Sequence, residues 1–314
     1  MKTAFLFPGQ GAQTVGMGKD VADVFPEAAR VYDQANHILD IDLAALCFEG
    51  PAEQLNTTAL SQPAIFVTSV ALLEVIRSRT DLRPAVTAGL SLGEYTALYA
   101  AGILSFEEGL KLVRQRGQAM QAAAETTEGG MVSIINLERD KVQFLCEQAA
   151  QGEILQPANY NCPGQIVISG TKAACDRAVA LALEMGAAKA VRLEVAGAFH
   201  TDLMAPAAKA LSAALAQCTL HPSGSIRVMA NTTADYYADV DDIRPGLVQQ
   251  LTSAILWQGC MERLLANGID TYYEIGPGRV LTGLMRRIER RTNITNISGL
   301  KALEDLSLSN VREG

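Results

Sequence analysis

Histidine occurs three times in 314 residues and tryptophan once, and aromatic residues together make up 5% of the chain. Positive charge is short as well, leaving a net charge of −8 at pH 7. Without a phosphate-neutralising excess, the composition argues against nucleic acid as the main partner. A polyphosphate ligand would need a local basic patch. The six cysteines (Cys47, Cys146, Cys162, Cys175, Cys218, Cys260) contain no Cys-x-x-Cys pair. Their wide spacing predicts reduced thiols in a cytoplasmic protein rather than a disulfide frame or a zinc site. No other metal-site spacing and no flavin or nicotinamide fingerprint occurs. The N-terminal apolar run, Ala4 to Phe7, is too short for a signal peptide. The longest apolar stretch, Ala64 to Ile76, carries Glu74 and falls short of a membrane span. Gly9 to Gly18 is glycine-rich but lacks both nucleotide patterns: Thr14 replaces the glycine of the dinucleotide loop, and Gln13 and Asp20 spoil a phosphate loop.

What the chain does have is apolar mass, 49% of its residues, and a length that exceeds one small core. One large domain with an inserted or appended small one is expected. The most informative stretch is Gly89-Leu90-Ser91-Leu92-Gly93. An extended apolar run (Ala85, Val86) precedes it and a helical pattern (Leu92 to Ala101) follows. Alone, the five residues could be a glycine-rich turn that happens to hold serine. At a sharp strand-to-helix turn, the serine hydroxyl is thrown clear of the backbone, and the glycines let the neighbouring strand and helix come close. The helix N-terminus also aims free N–H groups at a developing oxyanion.

Elsewhere, periodicity predicts helices over Pro26–Leu39 and Pro63–Arg77, with the proline near the first turn of the second. Ser105-Phe106-Glu107-Glu108 opens a helix running to about Ala124. Arg116 lies at the edge of its apolar stripe and needs an anion, either a protein carboxylate or one on a ligand. Residues 126–197 read β-α-β-β-α-β, the order of a ferredoxin-like insert. Of the histidines, His37 sits on the polar side of a helix and His221 precedes Pro222 in a turn. His200 stands where the chain re-enters the large domain and is the best base for Ser91. Leu281–Arg291 is expected as a helix carrying Arg286, Arg287, Arg290 and Arg291, either a solvated face or a landing patch for an anionic partner. The tail, 301–314, reads as weakly structured.

Five motifs then occur in order: Phe7-Pro8-Gly9-Gln10-Gly11, Gly89 to Tyr95, Arg116-Gly117, Gly197-Ala198-Phe199-His200 and Gly276-Pro277-Gly278. Together, over residues 3 to 290, they resemble the malonyl-CoA:acyl carrier protein transacylases, [acyl-carrier-protein] S-malonyltransferases of fatty acid synthesis. The resemblance implies an α/β fold: an α/β-hydrolase-like large domain with a parallel sheet (1–125 and 198–300) plus an inserted ferredoxin-like subdomain (126–197). It implies a ping-pong acyltransfer in which Ser91, activated by His200, carries malonyl from malonyl-CoA to the pantetheine thiol of acyl carrier protein. Backbone N–H groups of Gln10 and Leu92 would hold the oxyanion, and Arg116 would clamp the malonyl carboxylate. Phe199 would crowd a methyl branch at C2. Asn159 to Gln165 would line the cleft. No cofactor is implied beyond malonyl-CoA as substrate, nor any metal, and a cytoplasmic monomer is expected. Two positions depart from the family. Leu90 stands where histidine is usual, which bears on rate and hydrolysis. Leu256 stands where relatives can carry glutamine; a main-chain carbonyl near this place orients the histidine, and the Leu256 carbonyl is expected to serve.

Overall fold

The computed structural model describes residues 2–222 and 224–311, with the backbone alone from 307 onward. Among the described residues, ten strands form two sheets. In chain order they are β1 Thr3–Phe7, β2 Val86–Gly89, β3 Gly129–Ile135, β4 Leu155–Cys162, β5 Gln165–Thr171, β6 Lys189–Arg192, β7 Arg227–Ala230, β8 Asp235–Tyr236, β9 Thr271–Ile275 and β10 Asn293–Ile297. The larger sheet runs β10-β9-β1-β2-β7-β8. It is parallel from β10 to β7, and β8 closes one edge antiparallel. β1 is apolar from Ala4 to Phe7 and fully covered, as a central parallel strand flanked by helices must be. Phe7 pairs with Gly89, so the loop after β1 and the turn after β2 leave the sheet side by side at its carboxyl edge. That edge is where open α/β sheets place their ligands.

The smaller sheet, β4-β5-β3-β6, is antiparallel throughout and carries helices Arg139–Ala150 and Lys172–Glu184. Its own core includes Val132, Ile134, Leu145, Ile168 and Ala178. β4 is tied to the large sheet's side of the molecule by two main-chain bonds, Tyr160 N–H to Ile255 O at 2.9 Å and Ile255 N–H to Ala158 O at 2.8 Å. They hold one wall of the cleft against the other.

Four expectations are corrected. The apolar helix starts at Thr58 rather than Pro63 and spans 22 residues to Arg79, which by length and composition would suffice to cross a membrane. Here 83% of its most apolar window is buried inside the protein, and it packs between the Pro26–Leu39 and Phe106–Glu125 helices. Pro63 therefore sits inside the helix, where it cannot donate to the Ala59 carbonyl. Arg114 takes that role: its Nη1 donates to Ala59 O at 3.1 Å. The late basic helix is Val280–Ile288 only, because Glu289 turns extended and the chain enters β10, so Arg290 and Arg291 lie beyond it. The tail forms a helix, Leu300–Val311, whose Leu303 is buried and whose Leu300 N–H is capped by Asp20 at 2.8 Å.

Arg114→Ala should lower stability by about 1–2 kcal/mol by orphaning the Ala59 carbonyl. The loss should shrink in a Pro63→Ala background, whose restored N–H satisfies the same carbonyl. A double-mutant cycle in thermal unfolding checks this; equal losses in both backgrounds would show that Arg114 acts otherwise.

Candidate active site

Ser91 has φ 51, in the left-handed region, between β2 and the helix Gly93–Ala100. A side chain costs energy there, and such strain persists only where neighbours enforce it. The neighbours are close indeed. A Cβ on Gly89 would stand 1.9 Å from the Gly93 carbonyl carbon, and one on Gly93 would stand 2.1 Å from the Phe7 carbonyl oxygen. Only glycine lets the strand, the turn and the helix meet. Asn231, just past β7, clasps the bend: Ser91 N–H donates to its Oδ1 at 2.7 Å, and its Nδ2 donates to Gly89 O at 2.8 Å.

His200 also holds a positive φ, 61, and is 4% exposed. Its Nε2 lies 3.0 Å from Ser91 Oγ and its Nδ1 2.7 Å from the main-chain oxygen of Gln250. A carbonyl only accepts, so Nδ1 carries the proton and Nε2 is left to accept from the serine hydroxyl. The carbonyl expected from Leu256 is thus that of Gln250. Leu256 starts the Trp257–Ala266 helix, and its carbonyl is taken by Cys260 N–H at 2.9 Å. Gln250 ends the helix Ile243–Gln250, where carbonyls lack helical partners. Burial, and then the Arg116 charge, push the His200 imidazolium down to about 4, while the Gln250 carbonyl pulls the other way. The ring is neutral at pH 7.

Arg116 is 1% exposed and reaches the same serine. Its Nη2 donates to Ser91 Oγ at 3.0 Å and to Gln250 Oε1 at 2.9 Å, and its Nη1 donates to Gln62 Oε1 at 2.7 Å. All three partners are neutral, and Nε has no partner among the described residues. Of the two anions the sequence left open, a protein carboxylate in direct contact is therefore not the one present. The N–H groups of Gln10 and Leu92 donate to no protein acceptor among the described residues. The Gln10 side chain is pinned to Thr58 Oγ1 at 3.3 Å. A cleft of about 530 Å³ opens above these groups, bounded by Gln10, Leu90, Met120, Asn159 and Phe199.

Gln250, Asn231 and Gln62 had no role in the sequence reading, and each is buried. Gln250 left one trace, a polar residue between Leu247 and Leu251 on the face that packs inward. Asn231 and Gln62 left none.

Attack by Ser91 with His200 as its proton acceptor requires the ring to be neutral, so the rate of such a reaction should rise as pH passes upward through about 4. The second-order rate of Ser91 sulfonylation by phenylmethanesulfonyl fluoride, a neutral reagent, should be half-maximal near that pH. A midpoint near the ordinary imidazole value would show that burial does not hold the ring neutral.

The acyl transferase domain family matches residues 4–292. The malonyl CoA-acyl carrier protein transacylase of Bacillus subtilis (strain 168) is 41% identical over 313 residues, covering 99% of this chain and 98% of that protein. The protein of the same name from Escherichia coli (strain K12) is 42% identical over 285 residues, 91% of this chain and 92% of that one. Among solved structures, an acyl carrier protein S-malonyltransferase from Vibrio cholerae superposes with a TM-score of 0.94 at 40% identity, over 98% of this chain and 100% of that chain. A malonyl-transacylase solved in complex with a type II PKS acyl-carrier protein gives a TM-score of 0.95 at 37% identity, over 99% of this chain and 100% of that chain. A serine on a strained bend, a neutral imidazole and a buried guanidinium thus occur in an acyltransferase, and the chain belongs to the acyl transferase family that includes the malonyl CoA-acyl carrier protein transacylases.

Proposed function

We propose that the protein moves a malonyl group from malonyl-CoA to the pantetheine thiol of acyl carrier protein through a malonyl ester on Ser91, supplying fatty acid synthesis. The observation that carries this reading is that His200 Nε2 and Arg116 Nη2 both lie 3.0 Å from one oxygen, Ser91 Oγ. His200 takes the hydroxyl proton as Oγ attacks the thioester carbonyl. The carbonyl oxygen becomes negative between the N–H groups of Gln10 and Leu92. Collapse breaks the C–S bond, and the coenzyme A thiolate leaves with the proton from His200. In the second half the pantetheine thiol gives its proton to His200 and attacks the ester. Collapse then releases malonyl-pantetheine, and Oγ recovers the proton.

Arg116 holds the free carboxylate of the acyl group by a bidentate pair. An acetyl group would leave the guanidinium without that partner, which is the basis of discrimination. Phe199, buried beside His200, crowds a branch at C2, and Leu90 lines the cleft with an apolar surface. The route calls on no cofactor and no metal. We read the architecture as a hydrolase-like large domain carrying a ferredoxin-like insert over 126–197. The β-α-β-β-α-β order and the β4-β5-β3-β6 arrangement support this. We also read the protein as a cytoplasmic monomer.

Intact mass after exposure to malonyl-CoA should show one added malonyl group. Ser91→Ala should abolish it, and acyl carrier protein should remove it. An unmodified serine sinks the proposal, and free malonate released equally fast without carrier makes the protein a hydrolase. Arg116→Ala should lower the malonyl-to-acetyl loading ratio about tenfold or more; an equal fall for both acyl groups removes the clamp.

The exposed Arg286, Arg290 and Arg291 suit docking of the acidic carrier, whereas Arg287 is tied to Gln165 Oε1 and Pro163 O. Arg286→Glu should raise the KM for carrier protein roughly threefold to tenfold and leave malonyl-CoA loading unchanged. An unchanged KM leaves the cluster a solvated face.

A further inference from the structure

Glu94 follows the second glycine of the serine turn and takes no part in the steps above. It is 1% exposed. One carboxylate oxygen accepts from the Tyr237 hydroxyl; the other accepts from Gln250 Nε2 at 2.7 Å and from Asn231 N–H at 3.3 Å. These partners are neutral, as are the three that hold Arg116. A buried cation and a buried carboxyl thus lie in the same wall of the site, each touched by neutral groups.

One group touches both. The Gln250 side-chain amide puts its oxygen on Arg116 and its nitrogen on Glu94. That orientation is forced. Turned over, the amide would set N–H against a guanidinium that only donates and oxygen against a carboxylate that only accepts. The amide dipole therefore lies head to tail between the two charges, and each charge polarises it in the sense that favours the other. The guanidinium stays charged at every working pH. A cation so deep needs an opposite charge nearby, and Glu94 at the start of its helix is placed to be that charge.

We propose that Glu94 is the counter-charge of Arg116, coupled to it through the Gln250 side-chain amide, and that its charge sets how strongly the empty site attracts an acid-bearing acyl group. The second half rests on Arg116 as the carboxylate clamp. With Glu94 ionised, Arg116 is already balanced, and an incoming malonyl carboxylate adds a second negative charge. With Glu94 neutral, the guanidinium belongs to the acyl group alone. Glu94 is thus a positioning residue that tunes specificity without touching substrate.

Burial pushes the Glu94 carboxyl up to about 7, against the pull of Tyr237, Gln250, Asn231 and Arg116. The other titratable groups around it hold their state between pH 6 and 8. Tyr95, Tyr237 and Cys260 are pushed up by burial and stay neutral, and His200 is neutral above about 4. Raising the pH through 7 therefore adds one negative charge beside Arg116, and the KM for malonyl-CoA should rise. Acetyl-CoA, whose coenzyme A phosphates titrate identically, serves as the reference.

Glu94→Gln keeps the hydrogen bonds, because its oxygen can take the Gln250 and Asn231 donors and the Tyr237 hydroxyl can turn to accept. At pH 8 this variant should lower the KM for malonyl-CoA, relative to acetyl-CoA, roughly threefold or more, and the slope between pH 6 and 8 should vanish. An unchanged ratio with the slope retained overturns the tuning. A ¹³C-carboxyl NMR titration reads the pairing without any acyl group. Arg116→Met should move the Glu94 midpoint upward by about one pH unit or more. An unmoved midpoint overturns the counter-charge. If the midpoint moves while Arg116→Met still prefers malonyl over acetyl as the wild type does, the clamp is wrong and the tuning falls with it, but the charge pair stands.

Discussion

Gln250 gives its main-chain carbonyl to His200 and its side-chain amide to Arg116, Ser91 and Glu94. The carbonyl is available because the helix ends there, and the amide is directed because it is buried between a donor-only and an acceptor-only neighbour. His200, Arg116 and Ser91 are therefore not positioned independently. A shift of the Gln250 backbone by a fraction of an ångström would turn the imidazole and move the guanidinium together. Catalytic groups that must meet at one oxygen tolerate little of that. Loss of the side chain alone would leave the His200 contact in place but strip both buried charges of their shared partner.

Sheet order is what allows such convergence from distant parts of the chain. Neighbouring β1 and β2 put the Gln10 loop and the Ser91 bend at one edge. β7, next to β2, delivers Asn231 to the bend. His200 arrives from the segment that follows the smaller sheet, and β4 of that sheet supplies Asn159 to the facing wall. Ser91 and Asn231 lie within two residues of a strand end and Asn159 lies inside β4, where ladder hydrogen bonds fix them, whereas Gln10 and His200 stand in loops held by their side-chain contacts. The strain at Ser91 and His200, both at positive φ, is sustained by this frame.

The bend was readable in the sequence because its requirement is local. Two glycines flanking a serine, between an extended run and a helical one, can be judged from covalent sterics alone. The smaller sheet was readable for a similar reason: its strands and helices alternate in length and period. His200 was found by scarcity, since the other two histidines sit on surfaces. The failures share a cause. A main-chain carbonyl has no residue signature, so the sequence does not separate Leu256 from Gln250, and the choice depends on which helix ends at the site. Pro63 read as a helix start because the compensating Arg114 lies 51 positions away in sequence. The Leu300–Val311 helix has no local start signal because its cap, Asp20, belongs to the opposite end of the chain.

An imidazole pushed down to about 4 is a weak base for a serine proton, which argues against its use in the proposed route. Burial weakens it most, and the second cause, Arg116, removes part of the difficulty. Arg116 lowers the affinity of His200 for a proton by charge, and its Nη2 donates directly to Ser91 Oγ, where the proton departs. A charge-assisted donor favours the alkoxide over the hydroxyl, so the same cation makes both donor and acceptor more acidic. For the part of the shift that Arg116 causes, the difference between them, which governs the transfer, changes much less than either value. What the arrangement gains is a ring that is neutral, and so able to accept, at every pH near neutrality, and that once protonated yields its proton readily to a departing thiolate. A stronger base in the same place would take the serine proton more easily and give it up more slowly. In a route that uses one imidazole for two successive proton exchanges, a weak base beside an acidified nucleophile serves both halves.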